Sequence, residues 1–222
     1  MFTYISNSIA YMAKGGIVMV PIVFCSFLAL AVFIERLLTL KREKVIPAPL
    51  FDEIKRLILQ GKAAEALERC QTNGSSLARI ISVGIKNHGR PREAVKEALE
   101  EVGRREVALL DKYTGIMGTI ANIAPLLGLL GTVSGMIKAF NVISAAGVGD
   151  PAVLAGGISE ALITTAAGLT VAIPTFVAYK YLLSRADTLV IEMEEYSTEL
   201  VEMLKGEEEK PHSRGKGREA GV

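Results

Sequence analysis

Three long stretches of this 222-residue chain carry no charge, and they constrain its fold more than anything else in it. Gly15 to Ile34 is 20 residues, Tyr113 to Ile137 is 25 and Ala161 to Tyr179 is 19. A helix needs about 20 mostly apolar residues to cross a hydrocarbon core roughly 30 Å thick. Each run therefore qualifies as a membrane span. Buried core helices of a soluble protein are the alternative, but those are usually shorter. A cleaved signal peptide is the alternative for the first run. It would need a shorter apolar stretch and a small-x-small cleavage site. Here Glu35-Arg36-Leu37-Leu38-Thr39-Leu40-Lys41-Arg42 follows instead, which reads as a helix leaving the membrane into a basic compartment.

The distribution of charge orients the spans. Of 25 Lys and Arg residues, 15 lie between Leu37 and Tyr113, and seven more lie from Lys180 onward. Only Lys14 precedes the first span, and only Lys138 separates the second from the third. Cytoplasmic flanks carry the Lys/Arg excess. The N-terminus is thus expected outside, the central segment inside, a short loop outside and the C-terminus inside. The net charge of +1 gives no sign of a nucleic-acid partner, and none is expected. Cys25 falls in the first span and Cys70 in a reducing compartment, so no disulfide is expected, and neither has metal-ligand spacing. His88 and His212 both sit in polar segments without a nucleophile or ligand cluster nearby in sequence. No metal site and no enzyme activity are expected.

The expected fold is an all-α integral membrane protein with three transmembrane helices, two of them extended far into the cytoplasm, and a small cytoplasmic helical region. Residues 1–14 form an outer segment and 15–38 the first transmembrane helix. Residues 39–90 hold short amphipathic helices (Leu50 to Leu59, Gly61 to Cys70, Ser75 to Lys86), punctuated by Gly74, Gly89 and Pro91. Pro91 with Glu93 behind it is a helix start, and no strong stop appears before Gly147 and Gly149. One helix is expected over 91–145, on the order of 80 Å at 1.5 Å per residue, with its span at about 113–140. Pro125 is tolerable inside it because neighbours in a bundle can accommodate the lost bond. A loop follows at 146–153. A second long helix covers 154–205, with its span at about 155–180, and a charged tail covers 206–222. Beyond the third span, Leu182, Ala186, Leu189, Met193, Tyr196, Leu200 and Met203 alternate spacings of four and three, an a/d seam. Its simplest partner is the first half of the preceding long helix, through Val95, Leu99, Val102 and Leu109.

Polar residues within the spans are the candidate functional groups. Glu160 stands at the head of the third run, and an ionisable group in a bilayer is a functional hypothesis by default. One reading has its carboxylate snorkel to the interface beside the helix N-terminus. The other places it in a water-filled or protein-lined cavity, where it could exchange protons. Thr164 and Thr165 follow one turn later. In the second span, Thr132 shares an arc with Gly128 and Gly135, and more loosely with Asn122 and Thr119. A lone threonine can return its hydroxyl to the preceding turn; several on two adjacent helices could line a polar strip. Gly128, Gly131 and Gly135 are spaced for close helix packing. They form no phosphate loop, since the following lysine and hydroxyl are missing and no strand precedes them.

The segments APLLGLLGTVSGMIKAF (124–140) and GISEALITTAAGLTVAIPTFVAYKY (157–181) resemble the second and third membrane helices of the MotA/TolQ/ExbB proton-channel family. Three spans and the Glu35-Arg36 exit resemble its ExbB/TolQ branch; MotA-type proteins carry a fourth span. The resemblance implies a homopentamer in the bacterial inner membrane, surrounded by lipid, with a periplasmic N-terminus and a cytoplasmic C-terminus. It implies a pore holding two copies of a single-span ExbD/TolR-type subunit whose aspartate carries the proton, and work on a TonB/TolA-type protein. Thr132 and Thr165 match the family's pore threonines and Glu160 its third-helix glutamate. Thr164 is an additional hydroxyl. No cofactor is implied; the proton gradient supplies the energy. This chain has no aspartate inside any run, which fits a relay completed by another subunit. A non-conducting membrane scaffold is the rival reading. A secondary transporter is weaker, since those folds carry internal repeats and more spans.

Overall fold

The computed structural model describes residues 15–146 and 151–208, and all regular structure among them is helical. The helices are α1 (Met19–Thr39), α2 (Arg42–Val45), α3 (Ala48–Leu59), α4 (Ala63–Asn73), α5 (Ser76–Lys86), α6 (Arg92–Asp111), α7 (Thr114–Ala146) and α8 (Pro151–Glu208). Three stretches are long and apolar enough to cross a membrane: Met19–Thr39, Thr114–Ser144 and Ala155–Leu204. This is the architecture of an all-α integral membrane protein. The expected segments 1–14 and most of the 206–222 tail lie outside the described residues, as do residues 147–150 of the expected loop.

The described chain divides into two compact units. The spanning unit contains residues 15–38 and 112–183; the charged unit contains residues 39–111 and 184–208.

In the spanning unit, α1 starts four residues later than its apolar run, at Met19, after Gly16 with φ +66°. Pro21 falls in its first turn, where the missing N–H costs nothing. The expected single helix over 91–145 is instead two helices, and this is a correction. The chain breaks at Lys112 and Tyr113, and Tyr113 takes φ +68°, the one left-handed non-glycine residue described. Such a conformation costs on the order of 1–3 kcal/mol and persists only when surroundings hold it. Here Arg36, 3% exposed, stands 5.4 Å from the Tyr113 ring centroid, and Lys112 Nζ stands 4.7 Å from it. These cation–π contacts restrain the ring from α1 and from its own neighbour. Pro125 lies inside α7 and Pro174 inside α8 without ending either helix.

In the charged unit, α3, α4 and α5 pack in succession, with α6 against α5. Pro49 at the start of α3 is pre-organised for a first turn. Gly74, φ +67°, ends α4, and Ser75 caps α5 by accepting from the Ala78 N–H at 3.2 Å. The part of α8 in this unit supplies the core with Ala186, Leu189, Met193, Leu200 and Leu204, all buried; Leu182, also buried, lies on the same helix within the spanning unit. This is the expected seam, except that Tyr196 is only half-buried and Leu204 rather than Met203 ends it, as a straight 3.6-residue helix favours. On α6 the buried positions are Val95, Leu99, Glu106 and Leu110; the expected Leu109 is half exposed. The shift follows from Glu106, which takes an inward position. Arg79 donates to both of its oxygens, each at 2.6 Å, and this partner raises the guanidinium's proton affinity further above its usual range. Phe51 meets Tyr196 edge-on at 4.6 Å, Arg42 pairs with Glu192 at 2.7 Å, Lys55 pairs with Glu199, and Arg185 Nε donates to the Leu40 carbonyl at 2.7 Å. Helix α8 is 58 residues long and exceeds the expected 154–205 by three residues at each end.

Candidate functional site

The site rests on small residues. Ala124, Gly128, Gly131, Gly135 and Ala139 recur on one face of α7, and Gly157, Ala161, Thr164 and Gly168 on one face of α8. These faces meet with almost no side chain between them. A Cβ added at Gly168 would stand 2.6 Å from the Ala124 carbonyl oxygen and 3.1 Å from Gly128 Cα. One at Gly135 would stand 2.7 Å from the Gly157 oxygen, and one at Gly157 would stand 2.9 Å from Ala139 Cβ. The space beside Gly131 is taken by Thr164, whose Oγ1 would lie 2.5 Å from a Cβ there. Lipid tails are as apolar as leucine, so spanning helices associate through such close packing and not through hydrophobic burial. Gly128 and Gly135, expected as further pore-lining positions, are buried in this seam against α8 of the same chain.

The hydroxyls lie in and beside the seam. Thr164 is fully buried and donates to the Glu160 carbonyl at 2.5 Å. Thr165 is half-buried and donates across the seam to the Gly128 carbonyl at 3.0 Å, joining the two motif helices. Thr132, half-buried, donates to the Leu129 carbonyl of its own helix at 2.6 Å. Thr119 and Asn122 are exposed and donate to Gly115 and Gly118 at 3.0 and 2.9 Å. A hydroxyl has one hydrogen to give and two lone pairs. With its hydrogen committed to a carbonyl, each threonine can act toward water or a proton carrier only as an acceptor.

Glu160 is hydrogen-bonded through its carboxylate to neither the Thr132 nor the Thr165 hydroxyl, each of which donates to a backbone carbonyl. Its side chain, 20% exposed, accepts from Lys138 Nζ of α7 at 2.5 Å. Gly16 lies against the same carboxylate, and a side chain there would fall on it. Lys138 was legible only as the single cation between the second and third runs; its partner is 22 residues away. The other half of the seam, Gly157, Ala161 and Gly168, carried a readable signal: small residues at helical spacing within the third span. Among the described residues, no three His, Cys, Asp or Glu side chains group to hold a metal ion.

A sequence profile of the MotA/TolQ/ExbB proton channel family matches residues 56–195, more than half of the chain. An ExbB-like biopolymer transport protein of Synechocystis is 35% identical over 179 residues, covering 77% of this chain and 68% of its own length. The Tol-Pal system protein TolQ of Haemophilus influenzae is 32% identical over 58% of this chain and 61% of its own. The biopolymer transport protein ExbB of Pseudomonas putida is 33% identical over 57% of this chain and 41% of its own. With both motif helices inside the matched region and three helices able to span a membrane, the chain belongs to the MotA/TolQ/ExbB proton channel family, on its ExbB/TolQ branch.

Proposed function

We propose that this chain is the channel subunit of an inner-membrane motor of the ExbB–ExbD or TolQ–TolR type. Five copies surround the single spans of two partner subunits, and the proton gradient is converted to mechanical work on a periplasm-spanning protein of the TonB or TolA type. The observation that carries the reading is the Thr165 hydroxyl, bonded at 3.0 Å to the Gly128 carbonyl across the seam of the two motif helices. It places an acceptor oxygen at a helix–helix junction where both helices are held rigidly by backbone contact. Neither Thr132 nor Thr165 can carry a proton as an acid or base near neutral pH. Both can accept hydrogen bonds from a water file that delivers protons to a titrating group, and no aspartate of this chain lies in the charge-free runs. The titrating carboxylate then belongs to the partner span. A change in its charge alters how the partner sits among five equivalent walls, so transit drives rotation.

The decisive experiment is Thr165→Ala in the assembled complex. The expected result is loss of proton-driven work with pentamers still formed, read by native mass measurement. Unchanged work in that variant would remove Thr165 from the path.

One observation favours a non-conducting scaffold: the hydroxyls of Thr119, Thr132, Thr164 and Thr165 all donate to backbone carbonyls, as structural threonines do. A scaffold would assemble normally and pass no protons under an imposed gradient.

A further inference from the structure

Lys138 has no part in the function described above, yet it makes the one ion pair described between the two motif helices. It is the only basic residue between Lys112 and Lys180. Glu160 lies in the apolar stretch Ala155–Leu204, and Lys138 in Thr114–Ser144. Each charge alone would be expensive at such a position, and each removes the cost of the other.

The pairing is enforced by backbone contact, not left to two long side chains. Ala139, next to Lys138, is pressed against Gly157, whose added Cβ would stand 2.9 Å from it. Ala161, next to Glu160, is pressed against Gly135, whose added Cβ would also stand 2.9 Å from it. The register of the seam therefore brings Lys138 opposite Glu160 with little freedom to slip. A third wall comes from the chain before α1. Gly16, at φ +66°, lies on the Glu160 carboxylate with no room for a side chain. Lys138 from α7 and the Gly16 backbone are thus the described groups that face this carboxylate.

We propose that Lys138 is a positioning residue that clasps Glu160 across the end of the α7–α8 seam nearest Gly16. Glu160 then serves as a fixed counter-charge that shapes the mouth of the proton path, and it is not a proton carrier. The inference rests on the motor reading for what the mouth serves; the clasp itself rests on geometry alone.

The test uses the full chain with its single-span partner, reconstituted in lipid vesicles, as Lys138→Glu, as Glu160→Lys and as both together. Two quantities are read: the melting midpoint of the complex, and proton flux per assembled complex under an imposed gradient. Each single substitution sets two like charges against each other, so it is expected to lower the melting midpoint and to cut flux roughly tenfold or more, as one-sided disruption of a partly buried pair does. The double substitution restores opposite charges and is expected to recover both the midpoint and most of the flux. A double variant that melts no higher than the worse single would overturn the clasp. A double variant that melts normally but stays at the single-variant flux would overturn the counter-charge role, because the carboxylate would then be needed at its own position. Absence of flux from the unsubstituted complex would refute the motor reading, and the melting midpoints would still decide the clasp.

Discussion

Helix α8 runs through two regions that pack by opposite rules. In the spanning unit it presents Gly157, Ala161, Thr164 and Gly168, and approaches α7 until backbones touch. In the charged unit it presents Leu189, Met193, Leu200 and Leu204, large side chains that are all buried. The two codes match the expectation that α8 continues beyond the membrane after its charge-free run. In water, burying a large apolar side chain contributes about 1.5–3 kcal/mol, so large residues win. In lipid that term vanishes between helices, and close van der Waals approach with interhelical hydrogen bonds replaces it. Ion pairs follow the same division. The charged unit has several, half exposed and individually weak. The described part of the spanning unit joins α7 to α8 through a single pair, Lys138 with Glu160, in a setting where a lone charge is costly.

The comparison breaks most sharply if volume is removed from the charged unit. Leu200 is fully buried, so Leu200→Ala is expected to destabilise this unit by about 2–5 kcal/mol. Equilibrium unfolding by denaturant with a probe in α3–α5 measures it. A change under about 1 kcal/mol would mean the seam is not the core.

The next effect comes from adding volume rather than removing it. Gly168→Ala places a methyl group against the Ala124 carbonyl and Gly128 Cα, which are backbone and cannot step aside. A loss of about 1–3 kcal/mol is expected, visible as a lower melting midpoint in detergent. The matched substitution in the charged unit, Gly84→Ala, meets Leu200 Cδ2 at 2.6 Å, the end of a side chain that can rotate. It is expected to cost well under about 1 kcal/mol, since replacing a helical glycine by alanine favours the helix by a similar amount. Equal losses at the two glycines would mean that the two regions do not differ in packing rule.

The smallest effect sharpens the charged unit alone. Burial pushes the Cys70 thiol from 9.0 up to about 11. A thiol whose folded value is raised stabilises the fold while it stays neutral. That contribution is complete below about pH 9 and is lost as pH rises toward 11. Stability is thus expected to fall by on the order of 1–2 kcal/mol over this window. Cys70→Ala should flatten that part of the profile; an unchanged slope would assign it to other groups.

Much of the fold was legible because it is written in local periodicity. Charge-free runs marked the three spans, amphipathic patterns punctuated by Gly74 and Gly89 marked the short helices, and the period of α8 marked its buried face from Leu182 to Leu200. The break at Tyr113 was not, since the residues around it read as continuous helix and the group that restrains its ring is Arg36 on another helix. The inward turn of Glu106 was missed for a related reason. A carboxylate reads as surface until its bidentate partner, Arg79, is found 27 residues away.

The candidate site divides along the same line. By itself the sequence determined that Thr132, Thr164, Thr165 and Glu160 lie on two apolar helices, and that glycines recur at packing intervals, because both are properties of residue spacing. Only the tertiary structure decided that Gly128 and Gly135 face α8, that Thr165 bonds to Gly128, and that Glu160 is held by Lys138. Those facts depend on the register between two helices. That register is set by which small residues can bring two backbones together, a property of the pair that neither helix carries alone.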